Sequence, residues 1–83
     1  MTYELDNNTD PVTAEQEAIA TEAAEQTAEA RFDAVHAALE AQGRVSEATD
    51  SPEFREWMAA RSHTDAAWGR WAMAMDAQRS VNS

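Results

Sequence analysis

AEQEAIATEAAEQTAEARFDAVHAALEAQG, residues 14–43, contains neither proline nor glycine until its last position. Alanine is the strongest helix former, and glutamate and glutamine follow closely. The stretch therefore reads as one long helix, stopped by Gly43, a residue suited to the left-handed position just past a helix end. Upstream, Asp10 before Pro11 places a capping side chain ahead of a proline at the first helical position. Thr13 with Gln16 three residues later offers a second, overlapping cap. Helix 1 is thus expected over about 11–42.

Its apolar residues fall into two groups. Ala23, Ala30 and Ala37 recur every seven positions, with Ala20, Thr27, Ala34 and Ala41 as the neighbouring row. They form a smooth stripe that another helix could approach closely. Phe32, Val35 and Leu39 form a bulkier patch at spacings of three and four, the pattern of a buried helix face. Two faces on one short domain imply that one packs internally and the other meets a second chain.

Downstream, residues 43–51 read as a loop. Ser51 before Pro52 repeats the cap-and-proline start. Helix 2 is expected over about 52–61 and helix 3 over about 65–79, divided by a turn at Arg61–Asp65 in which Ser62 and Asp65 act as cap formers. One unbroken helix is the alternative, because Phe54, Trp57, Trp68, Trp71 and Met75 share a heptad register. Phe54, Trp57, Met58, Trp68 and Met75 are expected to form the core with Phe32, Val35 and Leu39. Trp71 and Met73 point about 200° apart on a helix, at ~100° per residue, so at least one of them is expected outside. With Arg61, Arg70, Ala23, Ala30 and Ala37, they are the candidate partner-binding residues. Residues 1–10 read as a flexible acidic arm, and 11–83 as a single helical domain. The expected fold is all-α: a long N-terminal helix against a helical hairpin, with two or three helices in all, completed by oligomerisation or by a partner.

Composition narrows the function. The chain has 83 residues and a formal net charge of −10. Eight carboxylates and no basic residue fall within residues 1–30. Direct binding to nucleic acid needs a basic footprint, as does an anionic membrane surface, so neither is expected. There is no cysteine, hence no thiolate nucleophile and no disulfide. His36 and His63 are the only histidines, sit on different helices and lack a metal-ligand spacing. Gly43 and Gly69 are the only glycines, too few for a phosphate-cradling loop. No catalytic residue, metal or cofactor is expected. The first residues have neither a basic nor an apolar leader region, and no run approaches the roughly 20 apolar residues of a membrane span. A cytoplasmic location is expected, or a virion if the chain is phage-encoded.

Residues 54–68, from Phe54 and Trp57 through Met58 to Ala67 and Trp68, together with the glycine-terminated segment Leu39–Gly43, resemble the cytoplasmic N-terminal domain of FecR-type anti-sigma regulators. His63 sits one place earlier than in that family, and the acidic segment 1–30 has no counterpart there. The resemblance implies a small helical bundle that binds a sigma factor. The expected function is therefore a non-enzymatic, acidic protein-binding module, a bacterial or bacteriophage regulator of anti-sigma type. Its partner would present a basic or apolar surface. One alternative is a small virion, scaffold or decoration component that self-associates. Another is an acidic mimic of nucleic acid that blocks a host DNA- or RNA-binding machine.

Overall fold

The computed structural model describes residues 10–82. The expected acidic arm therefore lies outside the described residues except for Asp10.

Helix α1 spans Pro11–Ala41, 31 residues. A carboxylate oxygen of Asp10 accepts from the Val12 N–H at 3.1 Å, which satisfies one of the orphan donors of the first turn. The other oxygen accepts from the Thr13 hydroxyl at 2.7 Å. Thr13 thus supports the Asp10 cap instead of forming a box with Gln16. At the far end Gly43 adopts φ +73°. Its N–H donates to the Glu40 carbonyl at 3.0 Å, and the Arg44 N–H donates to the Leu39 carbonyl at 2.8 Å. This pair of bonds is the Schellman closure, and it requires the left-handed residue that glycine supplies.

The connection is a short 3-10 helix, Val45–Asp50, with Ala48 buried. Arg44 and Glu47 bracket its start through two hydrogen bonds of 2.7 and 2.9 Å. Ser51 then caps the second helix. Its hydroxyl donates to the Ala48 carbonyl at 2.7 Å and accepts from the Phe54 N–H at 3.1 Å. Helix α2 runs from Pro52 to Asn82, again 31 residues.

The turn expected at residues 61–65, and with it the division into helices of 52–61 and 65–79, is absent: α2 is continuous there. The reason lies at Thr64, which is buried and donates its hydroxyl to the Ala60 carbonyl at 3.1 Å. Ala67 is buried beside it, and the packing of both along α1 outweighs the cap-forming tendency of Ser62 and Asp65. The fold is all-α, a long N-terminal helix packed against the helical segment that follows it.

The two helices run antiparallel. Phe32, late in α1, meets Trp57, early in α2, while Glu17 meets Arg70. Between them runs a seam with alternating steps of four and three, the heptad pattern of paired helices. On α1 the seam comprises Ala14, Ala18, Thr21, Glu25, Ala28, Phe32, Val35 and Leu39, each buried or half-buried. On α2 it comprises Trp57, Ala60, Thr64, Ala67, Trp71 and Ala74, with the same burial. Alanine is the commonest seam residue, at six of the fourteen positions, so the backbones can approach closely there but little apolar area leaves water. Phe32, at 9 % exposure, is the one large side chain among the described residues that is buried. Principal extents of 59 × 23 × 15 Å describe a rod.

Candidate binding surface

Among the described residues, the aromatic side chains fall into two clusters, spaced by the continuity of α2. Next to the connecting turn, Phe32 meets Phe54 at 5.4 Å and Trp57 at 5.2 Å between ring centroids. Phe54 and Trp57 meet edge-on at 6.3 Å, and His36 lies 5.9 Å from Phe32. The Arg61 guanidinium lies over Trp57, 5.8 Å from the ring centroid, within the range of a cation–π contact. The Trp57 Nε1–H is buried and has no hydrogen-bond acceptor among the described residues. Farther along, Trp68 and Trp71 meet edge-on at 5.4 Å with planes 85° apart.

The expected core is thus half assembled around Phe32. Phe54, Trp57, Met58, Val35 and Leu39 are half-buried. Trp68 does not join them. An unbroken helix carries it about 16 Å along the axis from Trp57, at ~1.5 Å per residue, and it pairs with Trp71. Met75, expected in the core, is 45 % exposed. It lies one position past the seam residue Ala74, on the edge of α2.

Among the residues expected to bind a partner, Met73 is 73 % exposed. Ala23, Ala30 and Ala37 are also exposed, on the side of α1 away from the seam. Arg61 and Arg70 are exposed, and Arg70 reaches Glu17 across the helices at 3.9 Å. Trp71 differs from expectation: it sits in the seam row, half-buried. Of Trp71 and Met73, Met73 is the one that lies outside. Exposed side chains missed by the sequence reading are Val12, Ile19 and Val45. Ile19 directly follows the seam residue Ala18, so knowing the seam would have identified it.

Two local clusters of hydrogen bonds shift the groups that make them. Hydrogen bonds from the Thr13 hydroxyl and the Val12 N–H hold the Asp10 carboxyl below its ordinary value. The hydrogen bond to Arg44 lowers Glu47 in the same way and raises Arg44. Among the described residues, no three histidine or carboxylate side chains come together as a metal site. No described helix is long and apolar enough to cross a membrane. No family model, no curated protein and no solved structure matches this chain.

Proposed function

We propose that this chain is a non-enzymatic, acidic helical module that binds another protein, and that it acts as a bacterial or phage-encoded regulator. One observation carries the reading: two long helices share a thin alanine seam while Trp68 and Trp71 stay half-exposed and Met73 and Met75 stand in solvent. Small domains with little core need further burial from a partner or a copy. Tryptophan and methionine are well suited to supply it as anchors of a protein interface. The anti-sigma form of this reading rests on Phe54, Trp57, Met58, Ala67 and Trp68, and a sigma factor is its direct test partner. The continuous helix through His63 departs from the turn expected at Arg61–Asp65.

A second reading, an assembly component, is favoured by the exposed row Ala23, Ala30 and Ala37. Such a row admits another helix at short range.

Affinity capture with the tagged full chain, followed by mass spectrometry, tests the first reading. A specific protein should be captured and should be lost with the double variant Met73→Ser, Met75→Ser, while circular dichroism shows unchanged helicity. Capture that persists at high salt separates apolar anchoring from an acidic mimic, whose binding is screened. If the double variant retains everything the parent captures, the protein-binding reading fails. Sedimentation of the chain alone into large homo-oligomers would favour the assembly reading.

A further inference from the structure

The two long edges of the hairpin differ in chemistry. On one, Arg70 and Glu17 stand one position before the seam residues Trp71 and Ala18, and pair across the helices at 3.9 Å. The other edge holds the rows one position after the seam. There α1 contributes Glu15, Glu22 and Glu29, seven residues apart and so about 10.5 Å apart along the axis. All three are exposed, and none has an ion-pair partner among the described residues. From α2 the same edge receives Trp68, half-buried, and Met75, exposed. Arg61 is the one cation of that row, and its position over Trp57 bounds the patch on the side of the turn.

We infer that this edge, between Met75 and Arg61, is a docking groove for a basic amphipathic helix. The inference rests on the protein-binding reading above and gives it a place and a partner chemistry. Three unpaired carboxylates at heptad spacing lie along one helix, and two large apolar side chains, Trp68 and Met75, also seven residues apart, lie along the other. A third helix laid between them would cover Trp68 and Met75 with its apolar face and set arginine or lysine side chains, repeating every seven residues, opposite Glu15, Glu22 and Glu29. Heptad-spaced charges of opposite sign select partner and register in helix assemblies, and complementary charge accelerates encounter. A second copy fits this edge poorly, because its own edge carries the same carboxylates and only Arg61 against them.

The probe is a synthetic amphipathic peptide of three heptads, with leucine at the two core positions and arginine at the two flanking positions of each. A twin with glutamate in place of arginine is the control. Titration calorimetry against the full chain should show binding of the arginine peptide and none of the twin. The triple variant Glu15→Lys, Glu22→Lys, Glu29→Lys should weaken that binding by about tenfold or more, and the loss should shrink as salt rises. Met75→Ser should weaken it and Met73→Ser should not, with circular dichroism confirming that each variant keeps its helix. Equal binding by the triple variant, or an equal loss from Met73→Ser, would overturn the groove. So would a homodimer in sedimentation that Met75→Ser dissociates, since a second copy would then fill the edge. If Met73→Ser alone abolishes capture of a cellular partner, the groove falls while the protein-binding reading stands.

Discussion

The ring of Phe32 lies across that of Trp57, with centroids 5.2 Å apart and planes inclined by 25°. This contact joins the two helices where the bulk of the chain is concentrated, and Phe54 closes its side. Aromatic pairs in such geometry contribute beyond their buried area. Phe32→Ala is expected to destabilise the hairpin by about 3–4 kcal/mol. Thermal or urea unfolding followed by circular dichroism measures it. A loss within the range of ordinary surface changes would show that the helices are held together elsewhere.

The alanine seam makes a sharper demand on size than on polarity. Ala67 is 1 % exposed, and leucine there would force the helices apart. Ala67→Leu should cost about 1–3 kcal/mol through overpacking. Ala30→Leu, on the exposed side of α1, should change stability by less than about 0.5 kcal/mol. Equal effects at the two positions would mean that the seam runs along the wrong face of α1.

The two glycines should respond with opposite signs. Gly43 holds φ +73° with open space around it, so only backbone strain opposes a side chain. Gly43→Ala should destabilise by about 1–2 kcal/mol. Gly69 lies inside α2, and an added Cβ would meet nothing within 4 Å. Gly69→Ala should stabilise by about 0.5–1 kcal/mol. Unfolding midpoints that move in the same direction would contradict the local geometry at one of the two.

The Asp10 cap should be sensitive to acid. Its carboxyl is held below the ordinary value in the folded chain by the Thr13 hydroxyl and the Val12 N–H. A folded-state value below the unfolded one gives stability that is present above the unfolded value and is lost as pH falls through the folded one. Asp10→Asn keeps a capping oxygen without the titration. The stability of the parent relative to that variant should therefore be greatest near neutral pH and decline below the ordinary carboxylate range. A difference independent of pH would show that the carboxylate is not the group being stabilised.

Much of the architecture was legible because helix ends carry strong local chemistry. Asp10 with Pro11, Gly43, and Ser51 with Pro52 each mark a boundary that the structure shows. The middle of α2 was not legible in the same way. Ser62 and Asp65 resemble a cap, but the packing of Thr64 and Ala67 against α1 outweighs that preference, and nothing at positions 61–65 alone records it. The seam on α1 was obscured by abundance, since alanine recurs on several faces of the helix. Extending the row Phe32, Val35, Leu39 backwards in steps of four and three leads through Ala28, Glu25, Thr21 and Ala18 to Ala14, which is the seam itself. The more regular row Ala23, Ala30 and Ala37 lies on the opposite, exposed side of the same helix. The expected places of Trp68 and Met75 belonged to the broken form of this segment, whereas the structure follows the alternative, one unbroken helix on a shared heptad register.

The aromatic cluster sits beside the turn, and this has a kinetic consequence. Phe32 and Trp57 are 25 positions apart in the chain, whereas Ala14 and Ala74, at the open end, are 60 apart. Closing the longer loop first would cost about 0.8 kcal/mol more in chain entropy, and each of those alanines has only a methyl group to bury. The hairpin therefore zips from its bend outwards, and the tips, where Asp10 and the end of α2 lie, are the last to join and the first to part.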